Sequence, residues 1–280
     1  MDPSPTQHEI FEQAQQALSE DLGTGDLTAA LIGEVDRACA TLVGREAATV
    51  CGRDWVESVF HQLDPSITVE WFTQDGNLIA KDQAWCKIEG PARAILTGER
   101  TALNFLQLLS GTATVTRRLV DQLEGTAAQL LDTRKTVPGL RLAQKYAVRC
   151  GGGTNHRLGL YDGILVKENH IRAAGSIRSA VHAAIAHSHH VSLVEIEVEN
   201  LDQLSEAISA GAQRLLLDNF SLAQLRQAVQ RNAGCAQLEA SGNVTLGNIR
   251  EIALTGVDFI SSGEITKHVC AIDLSLQFET

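Results

Sequence analysis

A long apolar run and an excess of positive charge are both missing from this chain of 280 residues. The charge-free window from Thr101 to Thr116 is too short, and too rich in Thr, Ser, Asn and Gln, to cross a bilayer. The opening MDPSPTQHEIFEQ has no basic region followed by an apolar one, so it does not read as a signal peptide. With 23 Lys and Arg against 34 Asp and Glu the formal charge is −11, which argues against broad capture of nucleic acid or of an anionic membrane. Six cysteines form no CxxC pair, and the chain is far larger than a disulfide scaffold. They read as reduced thiols, and the expected location is cytoplasmic.

Familiar catalytic signatures are scarce as well. No nucleophile elbow, HExxH pair or Rossmann fingerprint is present. Gly151-Gly152-Gly153 lacks the Gly-Lys-Ser/Thr of a phosphate loop, and the segment Asp21 to Thr28 lacks both a preceding strand and a Walker lysine. The latter reads as a structural turn with Asp26 as a cap. The two-carboxylate signature of the classical phosphoribosyltransferases is absent too.

What the chain does carry is concentrated between Leu130 and His170. From Arg134 to Lys167 the formal charges are Arg134, Lys135, Arg141, Lys145, Arg149, Arg157 and Lys167 against Asp162 alone. Gln129-Leu130-Leu131 stops at Asp132-Thr133-Arg134-Lys135, and Ile164-Leu165-Val166 stops at Lys167-Glu168-Asn169-His170. Buried runs that end in polar groups mark the C-terminal mouth of a parallel barrel, where catalytic residues sit. The cations are then expected to face one cleft, and clustered cations call for a ligand or transition state with several negative charges. For Arg141, Lys145 and Arg149 the competing reading is an exposed basic helix over Leu140 to Arg149.

The first hundred residues have a different period. Helices are expected over His8 to Ser19 and Arg53 to Leu63, and strands over Ala38 to Val50 and Ile67 to Trp71. Gln74-Asp75-Gly76-Asn77 reads as a hairpin turn and Gly90-Pro91 as another turn. Gly98-Glu99-Arg100-Thr101 is expected to open an apolar helix, which sets Arg100 against the helix dipole. Residues 1–110 read as an α+β domain, completed by the tail 270–280.

Residues 111–269 alternate strand and helix. The apolar runs end at Asp132, Lys167, Glu197, Asp218, Ser241 and Ser262, spaced 21, 23 and 21 residues apart from Glu197 onward, about one β/α unit. Helices are expected over Gly175 to Ala186, Asp202 to Ala210, Leu222 to Arg231 and Leu246 to Leu254. Asp202, Ser221 and Thr245 read as their N-caps and Gly211, Gly234 and Gly256 as terminators. Six strands can be counted, so the α/β fold is expected to be an incomplete barrel. Glu197 and Asp218 suit Mg²⁺, which takes one or two carboxylates with substrate phosphate oxygens. Ser241-Gly242-Asn243 and Ser262-Gly263-Glu264 are each expected before a helix N-terminus, where such barrels hold phosphate. His187, His189 and His190 read as solvated loop residues.

The chain resembles quinolinate phosphoribosyltransferase, the carboxylating nicotinate-nucleotide pyrophosphorylase of de novo NAD synthesis, over essentially its whole length. The resemblance is carried by Asp132-Thr133-Arg134-Lys135-Thr136 with Pro138-Gly139, by Lys145-Tyr146-Ala147-Val148 leading to Gly151-Gly152-Gly153, and by Asn155-His156-Arg157-Leu158-Gly159-Leu160. Lys167-Glu168-Asn169-His170-Ile171 and Leu217-Asp218-Asn219-Phe220 complete it. It implies an N-terminal α/β sandwich domain and an incomplete seven-stranded α/β barrel. It further implies that Arg100, Arg134, Lys135, His156, Arg157 and Lys167 surround quinolinate, with Arg100 supplied across a homodimer interface, and Thr133 is expected among the substrate-binding residues. Glu197 and Asp218 would serve Mg²⁺ and the ribose of phosphoribosyl pyrophosphate (PRPP); Ser241, Gly242, Asn243, Ser262, Gly263 and Glu264 would hold its 5-phosphate. Lys135, Lys167, Glu197 and Asp218 are the expected catalytic groups. Val137 and Glu264 depart from the family pattern, and Glu264 sets a carboxylate beside the phosphate loop. A related enzyme with another heterocyclic acceptor, a Schiff-base aldolase acting through Lys167 and a non-catalytic anion sensor stay open as alternatives.

Overall fold

A computed structural model of the chain describes residues 4–33, 35–188, 191 and 193–279. His189 and His190 lie outside the described residues. The chain divides into two compact units, Met1–Val115 with Leu142–Gly152 and Val269–Thr280, and Thr116–Arg141 with Gly153–His268.

In the first unit α1 (Gln7–Leu22) opens on a capping box: the Thr6 hydroxyl accepts from the Glu9 N–H at 3.2 Å and the Glu9 carboxylate accepts from the Thr6 N–H at 2.7 Å. Its stripe of Ile10, Ala14 and Leu18 is buried, and α1 packs on α2 (Arg53–Leu63). The expected strand over 38–50 is two pieces, β1 (Arg37–Gly44) and β2 (Ala48–Thr49). The others are β3 (Thr68–Trp71), β4 (Leu78–Ile79) and β5 (Ala84–Pro91). β1 lies between β5 and the C-terminal strand Leu274–Phe278, antiparallel to both, and β3 pairs with β5. Trp55, Phe60, Trp85, Leu42, Ile88 and Ile95 fill the core.

Two expected turns are different structures. Residues 74–77 do not close a hairpin, since β3 pairs with β5 and β4 with β2. Asp75 instead accepts from the backbone N–H groups of Gly52 and Arg53 and from the Tyr146 hydroxyl, which ties the loop to the start of α2. Gly90-Pro91 ends β5 and leads directly into α3 (Ala92–Asp121). Arg100 is therefore an exposed residue of the helix interior, where the dipole no longer acts. Gly98 sits inside α3 because a Cβ there would stand 2.7 Å from Leu63 Cδ1. Asp26 is the expected cap: Oδ1 accepts from the Thr28 and Ala29 N–H groups, both at 2.9 Å.

The helix α4 (Arg141–Cys150) corrects the picture of one cation cluster. Lys145 is fully buried, and Arg149 donates to the Ser4 hydroxyl at 2.7 Å and stacks over Tyr146. The helix is neither wholly exposed nor a row of free cations.

The second unit is built on six parallel strands: β6 (Gln129–Leu131), β7 (Ile164–Val166), β8 (Val194–Val198), β9 (Arg214–Asp218), β10 (Gln237–Ser241) and β11 (Phe259–Ser261). Their order is β6-β11-β10-β9-β8-β7. That is the cyclic order of a barrel left open between its first and second strands, with a parallel bridge from Leu131 to Thr154 at the β6 edge. The six-strand count and the α/β class agree with expectation. Alternation along the strands makes one face apolar, through Ile196, Val198, Leu215, Leu217, Leu238, Ala240 and Ile260, all buried.

The intervening helices include one that periodicity did not suggest, α5 (Glu168–Ala174), begun directly after Lys167. The others are α6 (Ile177–Ala186), α7 (Leu201–Ser209), α8 (Leu222–Asn232), α9 (Ile249–Ala253) and α10 (Glu264–Lys267). Ser221 caps α8 as expected. Asn200, not Asp202, caps α7, accepting from the Asp202 and Gln203 N–H groups. α9 starts after Asn248 rather than Thr245, so Ser241-Gly242-Asn243 precedes a loop and not a helix.

Candidate functional site

In-register parallel pairing puts the strand C-termini along one edge. Glu197 pairs with Leu216, and Asp218 with Ser241, which pairs with Ser261. Two-residue alternation therefore places Glu197, Asp218 and Ser241 on the same face, opposite the apolar one. Lys167 follows β7 in register with Glu197, and its Nζ forms an ion pair with the Glu197 carboxylate.

The loop after β6 crosses to the last strand. Lys135 N–H donates to Thr133 Oγ1 at 3.1 Å, its carbonyl accepts from the Thr266 hydroxyl at 2.8 Å, and a Cβ at Gly263 would stand 3.0 Å from Lys135 Cδ. Thr133, Lys135 and Gly263 thus form one wall. Ser262 beside them is buried. The Glu264 carboxylate faces Lys267 at 3.4 Å and His268 at 3.7 Å, along its own helix.

Asp132, fully buried at the end of β6, holds the loop that carries the next site residues. Its Oδ1 accepts from the His156 N–H at 2.8 Å and its Oδ2 from Asn155 Nδ2 at 2.6 Å. Asp162 accepts from the Leu158 and Gly159 N–H groups, which closes the loop over Gly163. Arg157 Nη1 donates to the Gly163 carbonyl at 3.1 Å. Arg141 Nε donates to Thr136 Oγ1 at 3.1 Å and Nη1 to the Leu158 carbonyl at 3.3 Å, so this cation is a strut between the two loops and not a ligand group.

Arg134 and Arg157 are the electrostatic feature of the site. Burial, and then the neighbouring charge of Arg134, lower the Arg157 pKa, so the pair is held together against its own repulsion. Arg134 Nε is a buried donor with no hydrogen-bond partner. An anion with two acceptor groups would relieve both defects.

At the acid end Asn219 Nδ2 donates to Asp218 Oδ2 at 2.8 Å, and Gly242 lies against Asn219. Glu197 and Asp218 offer hard oxygen donors on one face of one edge, the chemistry of a Mg²⁺ shared with substrate phosphates. Among the described residues neither belongs to a cluster of three metal-ligating side chains.

Three residues of the same face were not singled out from the sequence: the buried Glu195 and Glu239, and the half-buried Arg214. The alternation Val194-Glu195-Ile196-Glu197-Val198 carries the signal, since a residue two positions before Glu197 shares its face.

The fold is that of an open α/β barrel whose strand ends gather cationic and acidic side chains along one edge. Residues 26–110 match the family description of the quinolinate phosphoribosyl transferase N-terminal domain, and residues 112–277 that of its C-terminal domain. The nicotinate-nucleotide pyrophosphorylase structure from Francisella tularensis is 47% identical, with 99% of this chain and 98% of that one covered and a TM-score of 0.93. A Streptococcus pyogenes structure, NadC, is 37% identical over 99% of each chain with a TM-score of 0.94. A probable nicotinate-nucleotide pyrophosphorylase (carboxylating) of Bacillus subtilis is 41% identical over 92% of this chain and 89% of its own. The chain belongs to the quinolinate phosphoribosyltransferase family.

Proposed function

We propose that the protein transfers the phosphoribosyl group of PRPP to quinolinate with decarboxylation, giving nicotinate mononucleotide, pyrophosphate and CO2. The observation that carries this reading is the arginine pair: Arg157 disfavoured in its charge by burial and by Arg134, and Arg134 with a buried Nε that lacks an acceptor. A pyridine with two adjacent carboxylates supplies what both need, through forked hydrogen bonds that lysine cannot copy.

The quinolinate ring nitrogen bonds to C1 of PRPP as the bond from C1 to the pyrophosphate oxygen breaks. Glu197 and Asp218 lie by the ribose and offset the positive charge that develops at C1. Lys135 and Lys167 act as point charges toward the leaving pyrophosphate and the diacid. Glu197 and Asp218 would also hold Mg²⁺, which when bound offsets charge on the pyrophosphate. The bond from ring C2 to its carboxylate then breaks, CO2 leaves, and a proton takes up the electron pair that the cationic nitrogen stabilises. Ser241 to Asn243 and Ser262 to Glu264 hold the 5-phosphate. Arg100 reaches the diacid from a second copy of the chain, and the thiols suit a cytoplasmic location.

The test is a quinolinate and PRPP assay with Mg²⁺, following CO2 and pyrophosphate together. Equal release of both is expected, with none from nicotinate. Pyrophosphate release with nicotinate and no CO2 would overturn the acceptor assignment. Borohydride with carbonyl compounds is expected to leave Lys167 unmodified.

A further inference from the structure

Below the strand ends the same face carries a second, buried layer of charge. Glu195 and Glu239 are fully buried. Arg214 joins them, with Nε donating to Glu195 Oε1 at 3.0 Å and Nη2 to Glu239 Oε2 at 2.6 Å. Its guanidinium lies 4.0 Å from the centroid of the Phe259 ring, which fixes the plane of the fork. Burial, with the charge of Glu195 beside it, pushes the Glu239 carboxyl up to about 7, so the layer stays near neutral.

His156 reaches down into this layer. Its Nε2 is 2.7 Å from Glu195 Oε2 and 3.5 Å from Glu239 Oε2. Its Nδ1 accepts the backbone N–H of Arg157 at 2.7 Å. A ring nitrogen that accepts cannot also carry hydrogen, so the ring hydrogen is on Nε2 and is donated to Glu195. His156, Glu195 and Glu239 place donor atoms within 4.8 Å of one another as a metal site would. Arg214 bridges both carboxylates, however, and fills the place of a cation.

Such a layer is expensive to desolvate, and an apolar inner face would hold the barrel at least as well. We propose that Arg214, Glu195 and Glu239 are positioning residues for substrate binding: they lock the His156 ring, and the ring locks the Arg157 backbone, which sets where that guanidinium meets a carboxylate of the acceptor. The purpose rests on the reading of Arg157 as a carboxylate clamp; the lock itself does not.

Imidazole ¹⁵N spectra of the full chain, with the His156 signals assigned by their loss in His156→Asn, test the lock without turnover. The Nε2–H tautomer is expected in the wild type, giving way to averaged shifts in Glu195→Gln. Steady-state kinetics test the purpose: Glu195→Gln and Arg214→Lys should raise KM for quinolinate on the order of tenfold, as loss of a charged hydrogen bond does, and move KM for PRPP by less than about twofold. An Nδ1–H tautomer in the wild type, or equal rises in both KM values, would overturn the proposal. The expected tautomer in a chain with no quinolinate turnover would support the lock and sink the assigned reaction instead.

Discussion

Asn219 occupies the space into which any side chain at position 242 would point. A Cβ on Gly242 would stand 2.2 Å from Asn219 Oδ1 and 3.2 Å from its Cα, and Gly242 has φ +106°. Asn219 in turn donates to Asp218. Gly242→Ala should therefore cost about 1–3 kcal/mol of stability through backbone strain and raise KM for PRPP by disturbing Asp218. Chemical denaturation and initial-rate kinetics measure the two effects; wild-type values in both would show that Asn219 and Asp218 are not coupled.

Removing either member of the arginine pair should leave the fold and abolish the reaction. Arg134→Ala and Arg157→Ala are each expected to keep the wild-type circular dichroism spectrum and to lose at least about a hundredfold in kcat/KM, the worth of a forked, charge-assisted pair. Near-normal turnover in either variant would remove that residue from the site.

Glu239 makes stability depend on pH in a calculable direction. Its folded pKa, about 7, lies above its ordinary value of 4.5. Across that window the folded chain keeps a proton that the unfolded chain has lost, so stability drains away as pH rises toward 7. Glu239→Gln cannot lose a proton. Its stability relative to wild type should improve between about pH 5 and about pH 8, by no more than roughly 3 kcal/mol. Melting curves at the two pH values check this, and a constant offset would mean that Glu239 is ionised throughout.

Asn200 is a structural cap outside the substrate machinery. Asn200→Ala should cost about 1 kcal/mol and leave both KM values unchanged. A kinetic effect would show that α7 helps to shape the edge.

The strand ends were legible because each buried run stops at one charged or small residue, and parallel register brings those stops to one edge. Glu197, Asp218 and Ser241 needed nothing more than that count. Glu195 and Glu239 were not, because an acid in a sequence reads as solvated until a partner is seen, and Arg214 is distant in the chain from both. Gly98 misled for a different reason. A glycine before an apolar run looks like a boundary, whereas here it permits close approach of two helices. The hairpin expected at 74–77 failed because the turn residues serve α2 and Tyr146, contacts invisible to local pattern. Asp202 lost its capping role to Asn200, two positions away, where the backbone is extended as an N-cap requires.

The strand Leu274–Phe278 hydrogen-bonds to β1, so a sheet begun near one end of the chain is finished by the other. A ribosome releases β1 long before its neighbour exists, and the exposed rim of that strand has to wait without a partner while the whole barrel is being made. Synthesis order and sheet order are at odds, which makes the first unit the last to close. Clipping a few residues from the tail should expose the same rim in the finished protein and show itself as aggregation rather than as a lost active site.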